Sequence, residues 1–250
     1  LYPRAVSLGR GPGEIVFSGP DYGSTPTKTF FGKLATALVP PPGQPAAWIT
    51  EDVAAVPKNI YGATKAAAED LCQLAARNQG LASVVLRISR FFPEADDDPH
   101  QRATFADANI KANEFLYRRV ALDDVVSAHL LTVERAADLR FARFVISATT
   151  PFEIGDAAML RQDAARVLRQ RVPGFEAVYR RLGWQMFPTL DRVYSNARAR
   201  EVLGWHPGTD FKAVLERVAA GQPMETQLAS QVGRKGYHGT AFRDGIYPTC

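Results

Sequence analysis

The sequence predicts an α/β fold built on a parallel β-sheet, and three observations carry that prediction. Predicted strands alternate with predicted helices of about 10–18 residues, which is the pattern of strands joined by crossover helices. The strand at 82–88 is continuously apolar rather than alternating, and this suits a parallel sheet covered on both faces. The chain has 250 residues and an ordinary apolar content, so it can bury a sizeable core.

The first fifty residues contain one predicted strand between irregular segments. Residues 1–13 are rich in Gly, Pro and Arg and predict an irregular lead-in. The strand at 14–18 follows, and the Gly-Pro pair at 19–20 ends it. The stretch 22–50 consists mostly of turn residues and predicts a long loop, a feature that is often functional in a compact domain.

The rest of the chain predicts two strands and several helices. A helix at 61–78 is rich in alanine and ends before Gly80. Strands are predicted at 82–88 and 141–147, and the acidic stretch 94–108 is predicted to be a loop. Further helices are predicted at 109–117, 122–136, 154–171, 195–203 and 211–220.

These elements divide the chain into four parts. The lead-in at 1–13 precedes a sheet-containing part at 14–150. The segment 151–223 is more helical and is predicted to form a small subdomain. The tail at 224–250 is polar and weakly patterned.

Composition and charge argue against several classes of function. The net charge of +4 comes from scattered arginines without a basic stripe, so nucleic acid is not an expected partner. No apolar run approaches the ~20 residues that span a bilayer, so no membrane partner is expected and the cytoplasm is the default location. Cys72 and Cys250 make neither a disulfide framework nor a metal site, and no metal is expected.

Tyr61 and Lys65 are the residues with the clearest chemical potential. They are four positions apart in a predicted helix and therefore share one helical face. A lysine ammonium near a phenol favours the phenolate and lowers the phenol pKa from about 10 toward working pH. The pair could exchange protons in a hydroxyl/carbonyl interconversion. The alternative is a surface tyrosine stacked on a lysine stem.

Four stretches together resemble the extended short-chain dehydrogenase/reductase superfamily, in its NAD-dependent epimerase/dehydratase branch. They occur in the family's order and at about its spacing, and they cover residues 46–215. The stretches are 61–65 (YGATK), 86–93 (LRISRFFP), 118–129 (RRVALDDVVSAH) and 196–207 (NARAREVLGWHP).

The resemblance implies a Rossmann-like catalytic domain at 14–150 with a substrate-side subdomain, and a cofactor that is NAD or NADP. Tyr61 would be the catalytic acid/base, and Lys65 would hold the ribose hydroxyls beside the nicotinamide. The family's third catalytic residue is a Ser or Thr. Thr27 fits it with the better spacing to Tyr61, while Ser18 fits it by following directly on a strand.

The resemblance also suggests residues around the cofactor and the substrate. Ser89 lies where relatives place backbone against the nicotinamide carboxamide. Arg90 stands where the family commonly has Asn, and Arg118 and Arg119 lie near a position that contacts the substrate's diphosphate. Arg90 and Arg118 are therefore predicted to bind substrate through a phosphate or a carboxylate. The alternative for each arginine is a surface ion pair.

One part of the family pattern is missing from the sequence. The family's dinucleotide site begins with a strand, a Gly-rich turn and a helix. Residues 9–13 contain three glycines but follow no strand and include a proline. We therefore expect a partial Rossmann-like sheet in an N-terminally incomplete chain. An uncovered apolar edge of that sheet predicts poor solubility or association, and a homodimer is the simplest form of it.

The leading hypothesis is an NAD(P)-dependent epimerase, dehydratase or reductase acting on a sugar nucleotide or a related carbonyl or hydroxyl compound. Little activity is expected from the chain as it stands. A simple carbonyl reductase is the competing enzymatic interpretation. A non-catalytic remnant, used to bind a ligand or a subunit, is the hypothesis from a different class.

Overall fold

A computed structural model describes residues 15–20, 40–55, 57, 60–93, 95–96 and 98–232 of the chain. For residues 15–20 and Tyr61 it describes the backbone alone. The strands are β1 (Ile15–Pro20), β2 (Ala47–Ile49), β3 (Ser83–Ile88), β4 (Phe141–Ile146) and β5 (Arg192–Tyr194). The helices are α1 (Ile60–Gln79), α2 (Pro99–Thr104), α3 (Asp107–Glu114), α4 (Leu122–Leu139), α5 (Ala157–Leu160), α6 (Ala164–Arg171), α7 (Phe175–Leu182), α8 (Phe211–Ala219) and α9 (Gln227–Val232).

The three longer strands form one parallel sheet with the order β1-β3-β4. Strand β3 is central, and its side chains are buried at five of six positions, as a continuously apolar strand should be. Helix α1 packs on β3, and α4 lies in the crossover from β3 to β4. The predicted α/β class with a parallel sheet is confirmed.

A second, two-stranded parallel sheet pairs β2 with β5. Neither strand was predicted, because each has only three residues and turn residues surround both. Ile49 and Tyr194 pack with Val145 of β4, so the small sheet lies against the large one. Strand β2 falls inside the segment predicted to be a long loop, and that prediction is wrong at 47–49.

Short helices account for most of the other differences from the sequence prediction. Helix α2 lies in the segment 94–108 that was predicted to be a loop, and Asp98 caps it by accepting a hydrogen bond from the backbone N–H of His100. Pro99 therefore occupies the first turn of a helix, where a missing N–H costs nothing. The helix predicted over 154–171 is divided into a 3₁₀ turn, α5 and α6, because Asp163 caps a new start.

Helices α1, α4 and α8 follow their predictions closely. Helix α1 ends before Gly80, whose φ of +67° belongs to the left-handed region that glycine tolerates. Asp210 caps α8 by accepting a hydrogen bond from the N–H of Ala213 at 2.9 Å. Asp124, in the first turn of α4, accepts hydrogen bonds from the N–H groups of Gly208 at 2.6 Å and Thr209 at 3.0 Å.

The core has two main parts. One is built on the large sheet and α4, and the π-helical turn at Ala199–Leu203 and the buried Trp205 pack there too. The other joins α3 to the helices of the segment 151–223 and to β5. The N–H of Trp205 donates to the carbonyl of Ala199 at 3.0 Å, which holds the wide turn closed. The π-helical turn from the second half of the chain therefore packs on the large sheet together with α4.

Candidate active site

Lys65 is buried on α1, and only 5% of its surface is exposed. Burial lowers the pKa of Lys65, and the nearby Glu69 carboxylate acts in the opposite direction. Tyr61 lies in the first turn of the same helix, one turn before Lys65, so the two positions share one face of the helix. The side chain of Tyr61 lies outside the described residues.

Glu69 connects α1 to the sheet one turn beyond Lys65. Its carboxylate accepts two hydrogen bonds from the guanidinium of Arg87 on β3, at 3.1 and 2.8 Å. The Nε atom of Arg143 on β4 lies 3.3 Å from the same carboxylate. A bidentate pair of this kind fixes geometry as well as charge. Because Lys65 and Glu69 are four positions apart, this contact joins the face of α1 that carries Lys65 to β3 and β4.

Glu51 stands at the outer edge of β4. Its Oε1 atom accepts a hydrogen bond from the N–H of Val145 at 2.6 Å, and its backbone carbonyl accepts one from Arg87 at 2.9 Å. Burial raises the pKa of the Glu51 carboxyl, although the hydrogen bond from Val145 opposes that change. The folded state therefore binds the proton of Glu51 more tightly than the unfolded chain does.

We expect Glu51→Gln to increase the free energy of unfolding at pH 7. Glutamine keeps the oxygen acceptor for Val145 but carries no charge to desolvate. Because the folded pKa is raised, the carboxylate costs stability as pH rises from the unfolded pKa through the folded one. Urea unfolding should show the gain at pH 7 and almost none at pH 4. The exposed Glu201→Gln is the control and should change stability little. A variant less stable than the parent at pH 7 would contradict this account.

Ser89 follows β3 directly, at the carboxyl end of the sheet where open α/β folds bind ligands. Its backbone N–H donates to the carbonyl of Ile146 at 2.9 Å, and only 1% of its surface is exposed. Within the described part of the chain, its Oγ atom has no hydrogen-bond partner. A buried hydroxyl in that state suits a polar group of a cofactor or a substrate.

Arg90 and Arg118 are brought together by an extension of the sheet. The N–H of Arg90 donates to the carbonyl of Arg118 at 3.0 Å, and the N–H of Val120 donates to the carbonyl of Arg90 at 3.0 Å. Arg119 forms the bridge opposite Arg90, and its carbonyl accepts from the N–H of Ala148. Three arginines therefore converge where the chain leaves β3.

The three arginines form a buried ion network with two carboxylates, Asp96 and Glu114. Arg118 lies 2.9 Å from Glu114 and 3.3 Å from Asp96, and Arg90 lies 3.2 Å from Asp96 and 3.6 Å from Glu114. Arg119 donates to Glu114 at 2.6 Å. Burial alone would raise the pKa of Glu114, but the three guanidinium groups outweigh burial and the pKa lies below its ordinary value.

The sequence prediction found the arginines but not their partners. The partners of Arg90 and Arg118 are carboxylates, as in the ion-pair interpretation, but the pairs are buried rather than at the surface. Asp96 stood in a segment predicted to be a loop, and Glu114 had no distinguishing motif around it. The signal available in the sequence was that Glu114, on a predicted helix, lies four residues before Arg118, a spacing typical of ion pairs.

The predicted catalytic hydroxyls are described only in part. Thr27 lies outside the described residues. Ser18 is the fourth residue of β1 and pairs in register with Leu86 of β3, so its backbone is two residues from the carboxyl end of the strand. Its side chain is not described, and both candidates therefore remain predictions.

A cavity of about 280 Å³ lies next to this region. Its walls are the loop at 91–93, helix α3, the start of α4 and the segment 224–232 that includes α9. Helix α9 was not predicted, because the tail from 224 onward shows no clear periodicity. Among the described residues there is no group of three or more metal-ligating side chains, and no helix is long and apolar enough to cross a bilayer.

Comparison with known proteins matches residues 27–146 to the model of the NAD dependent epimerase/dehydratase family. No curated protein matches the sequence. UDP-N-acetylglucosamine 4-epimerase from Bacillus cereus is a solved structure similar to the chain, with 13% identity, 82% of this chain and 62% of that chain covered, and a TM-score of 0.44.

Two further solved structures are similar to the chain. RMD from Pseudomonas aeruginosa, complexed with NADPH, has 19% identity, covers 82% of this chain and 65% of its own, and has a TM-score of 0.42. A short-chain dehydrogenase/reductase superfamily protein from Agrobacterium tumefaciens with bound NAD has 17% identity, 83% and 66% coverage, and a TM-score of 0.45. The chain spans less than two thirds of the length of each of these structures.

The family match contains both Tyr61 and Lys65, together with Ser89, Arg90 and Arg118. The family's description is NAD dependent, in agreement with the NAD or NADP expected from the motifs. The resemblance inferred from those motifs is thereby confirmed: residues 27–146 carry the sequence signature of the NAD dependent epimerase/dehydratase family.

Proposed function

We propose that this chain carries the acid/base half of an NAD(P)-dependent epimerase/dehydratase-type oxidoreductase. The observation that carries the proposal is the burial of Lys65 one helical turn after Tyr61, inside the segment that matches the family. A buried lysine without a chemical role would be an expensive residue, since desolvation disfavours its charge. The reaction would interconvert a hydroxyl and a carbonyl group.

Each residue of the site has a distinct part in this proposal. Tyr61 takes or returns the hydroxyl proton at its Oη atom, and Lys65 favours the phenolate form while holding the ribose hydroxyls of the cofactor. Ser89 offers its hydroxyl, which has no hydrogen-bond partner among the described residues, toward the nicotinamide side of the site. Thr27 or Ser18 orients the substrate oxygen. When bound, the nicotinamide cofactor supplies the hydride acceptor or donor.

The substrate in this proposal is a sugar nucleotide or a related carbonyl or hydroxyl compound. Arg118 supports an anionic contact, because its Nε atom is buried and makes no hydrogen bond to any residue within the described ranges. The guanidinium groups of Arg90 and Arg118 would then interact with the two carboxylates of the network and also with an anionic group of the substrate. Their role in substrate binding is a proposal that follows from position.

Association into a homodimer is a further part of the proposed function. Leu71 and Leu74 on α1 are 63% and 50% exposed. Apolar side chains grouped on a helix are typical of surfaces that bury on association. Sedimentation velocity at increasing protein concentration would report a mass of two chains if this is correct, and one chain if it is not.

Calorimetric binding of NAD⁺ and NADP⁺ tests the cofactor site directly. Because the family's Gly-rich turn is missing from the sequence, we expect the chain to bind one of them only in the high micromolar range. Lys65→Met should weaken that binding by about 10- to 100-fold, since hydrogen bonds to a charged group contribute about 1.5–3 kcal/mol. Methionine keeps the apolar stem that packs in the core. Lys212→Met changes an exposed lysine on α8 and should leave binding unchanged.

Two other outcomes separate the alternatives. Tyr61→Phe should bind cofactor like the parent, because the phenol acts on the substrate proton. A folded chain that shows no heat with either cofactor at millimolar concentration would overturn the enzymatic proposal. The non-catalytic binding module would then be the better description.

A further inference from the structure

We propose that the cavity beside β3 binds an uncharged, largely apolar molecule that carries a hydroxyl or carbonyl group. The proposal names the chemical class of the ligand for a site that the motifs do not mark. It rests on the proposed function only in taking this ligand to be the substrate, and of the two substrate classes named there it selects the carbonyl or hydroxyl compound over the sugar nucleotide. The binding itself does not require cofactor chemistry.

Apolar and aromatic side chains make up most of the cavity wall. Phe91 and Phe92 follow the buried Ser89-Arg90 pair, and their rings stack with centroids 4.3 Å apart. Phe115 at the end of α3 and Met224 in the segment before α9 complete this wall. Aromatic rings and a flexible thioether give a large apolar contact surface that adapts to a ligand.

The two cations on the described part of the cavity wall, Arg119 and Lys111, already face carboxylates. Arg119 donates to Glu114 at 2.6 Å and also to the backbone carbonyl of Phe92. The Nζ atom of Lys111 lies 2.7 Å from a carboxylate oxygen of Asp107 and 2.6 Å from the carbonyl oxygen of Pro93.

Glu225 brings a further negative charge to the cavity wall. Its Oε1 atom lies 3.9 Å from the Nζ atom of Lys111, and its side chain is 45% exposed. A bound diphosphate would have to displace these carboxylates or lie beside them. Because the described cations of the wall are already paired with carboxylates, the cavity disfavours a polyanion and favours a neutral ligand.

The size of the cavity leads to the same conclusion. Its volume of about 280 Å³ is just below the range of about 300–1,000 Å³ for sites of drug-sized ligands. A sugar nucleotide has a base, a ribose, two phosphates and a hexose to place, and most of that surface is polar. An aromatic or alicyclic alcohol or ketone fits the volume and the lining together.

Fluorescence titration with the neutral naphthyl ketone Prodan tests the proposal without cofactor. We expect a blue-shifted, saturable signal in the parent chain. Ala229→Trp, on the cavity side of α9, should fill the cavity and weaken binding by about tenfold or more, because a packed site has no room for both. Gln231→Trp adds the same side chain at an exposed position of α9 outside the lining and should leave the titration unchanged.

Competition and a second variant make the result decisive. Millimolar UDP-glucose should not displace the probe. If Ala229→Trp fails to fold by circular dichroism, Met224→Glu, which puts a charge on the apolar wall, should also weaken binding. Displacement by UDP-glucose, a probe that does not bind, or binding unaffected by both variants would overturn the inference. Probe binding by a chain that binds no NAD⁺ or NADP⁺ would leave the inference standing while the proposed catalytic function fails.

Discussion

Replacement of Glu114 by alanine is expected to lower the free energy of unfolding by about 3–5 kcal/mol, since removing one partner of a buried ion network leaves the other charges uncompensated. Only 1% of the Glu114 side chain is exposed, and it faces the guanidinium groups of Arg90, Arg118 and Arg119. Among the described residues, Asp96 would then remain in ion-pair contact with Arg90 and Arg118, and Arg119 would lose its ion pair with Glu114. Urea unfolding at pH 7 measures the loss.

The same residue gives the protein a defined response to acid. The pKa of Glu114 in the folded state lies below its ordinary value, so its stabilising effect is present above the unfolded pKa of about 4.3. That stability is lost as the pH falls from there through the folded pKa. When unfolding is measured from pH 7 down to pH 3, the free energy of unfolding of the parent should therefore fall steeply. The Glu114→Gln variant should be less stable at pH 7, and its free energy of unfolding should fall less steeply with pH.

A surface pair supplies the control for Glu114. Glu176 accepts hydrogen bonds from Arg169 at 3.0 and 2.7 Å, but its side chain is 44% exposed. Glu176→Gln should change stability only slightly, because solvent screens an exposed pair. Equal effects of the two substitutions would show that burial of the network does not matter, and the argument above would then be wrong.

Trp205→Ala is expected to cost about 3–5 kcal/mol of stability, the range for removing a large aromatic side chain from a core. Trp205 is 2% exposed and packs with α4 and the large sheet. Its Nε1–H donates to the hydroxyl of Ser127 at 3.0 Å, so a hydrogen bond is lost along with the packing. Thermal or urea unfolding with a two-state fit gives the value.

Two milder variants separate packing from hydrogen bonding at Trp205. Trp205→Phe keeps an aromatic ring and should lose much less stability than the alanine variant. Ser127→Ala leaves the ring in place and should cost about 1 kcal/mol, the usual net contribution of one hydrogen bond. If Ser127→Ala proves as damaging as Trp205→Ala, packing of the indole is not the main contribution.

The main elements of the fold could be predicted from the sequence because their patterns are local. Strand β3 is continuously apolar, α1 is rich in alanine before a glycine, and α4 begins with two aspartates. Strands β2 and β5 could not be predicted. Three residues carry no periodicity, and each strand exists only because a partner far away in the chain pairs with it.

The candidate site shows the same division. Lys65 and Tyr61 could be proposed from the sequence because they lie four positions apart on one predicted helix, in a motif that resembles the family, and their catalytic role stays a prediction. The partners of Arg90 could not be identified, because Asp96 and Glu114 reach it only after a loop and a helix have folded around it. Predicting the arginines as substrate contacts used position alone. Their burial among carboxylates is a property of tertiary structure.

The hydrogen bond between Glu51 and Val145 has a consequence for how the large sheet can grow. The outer edge of β4 offers backbone donors of the kind that recruit strands from other molecules during aggregation. At Val145 that donor already binds a buried carboxylate. A strand added there would have to remove the carboxylate and leave it without its partner. In the described sheet, the Glu51 side chain thus blocks the pairing of another strand with β4 at Val145.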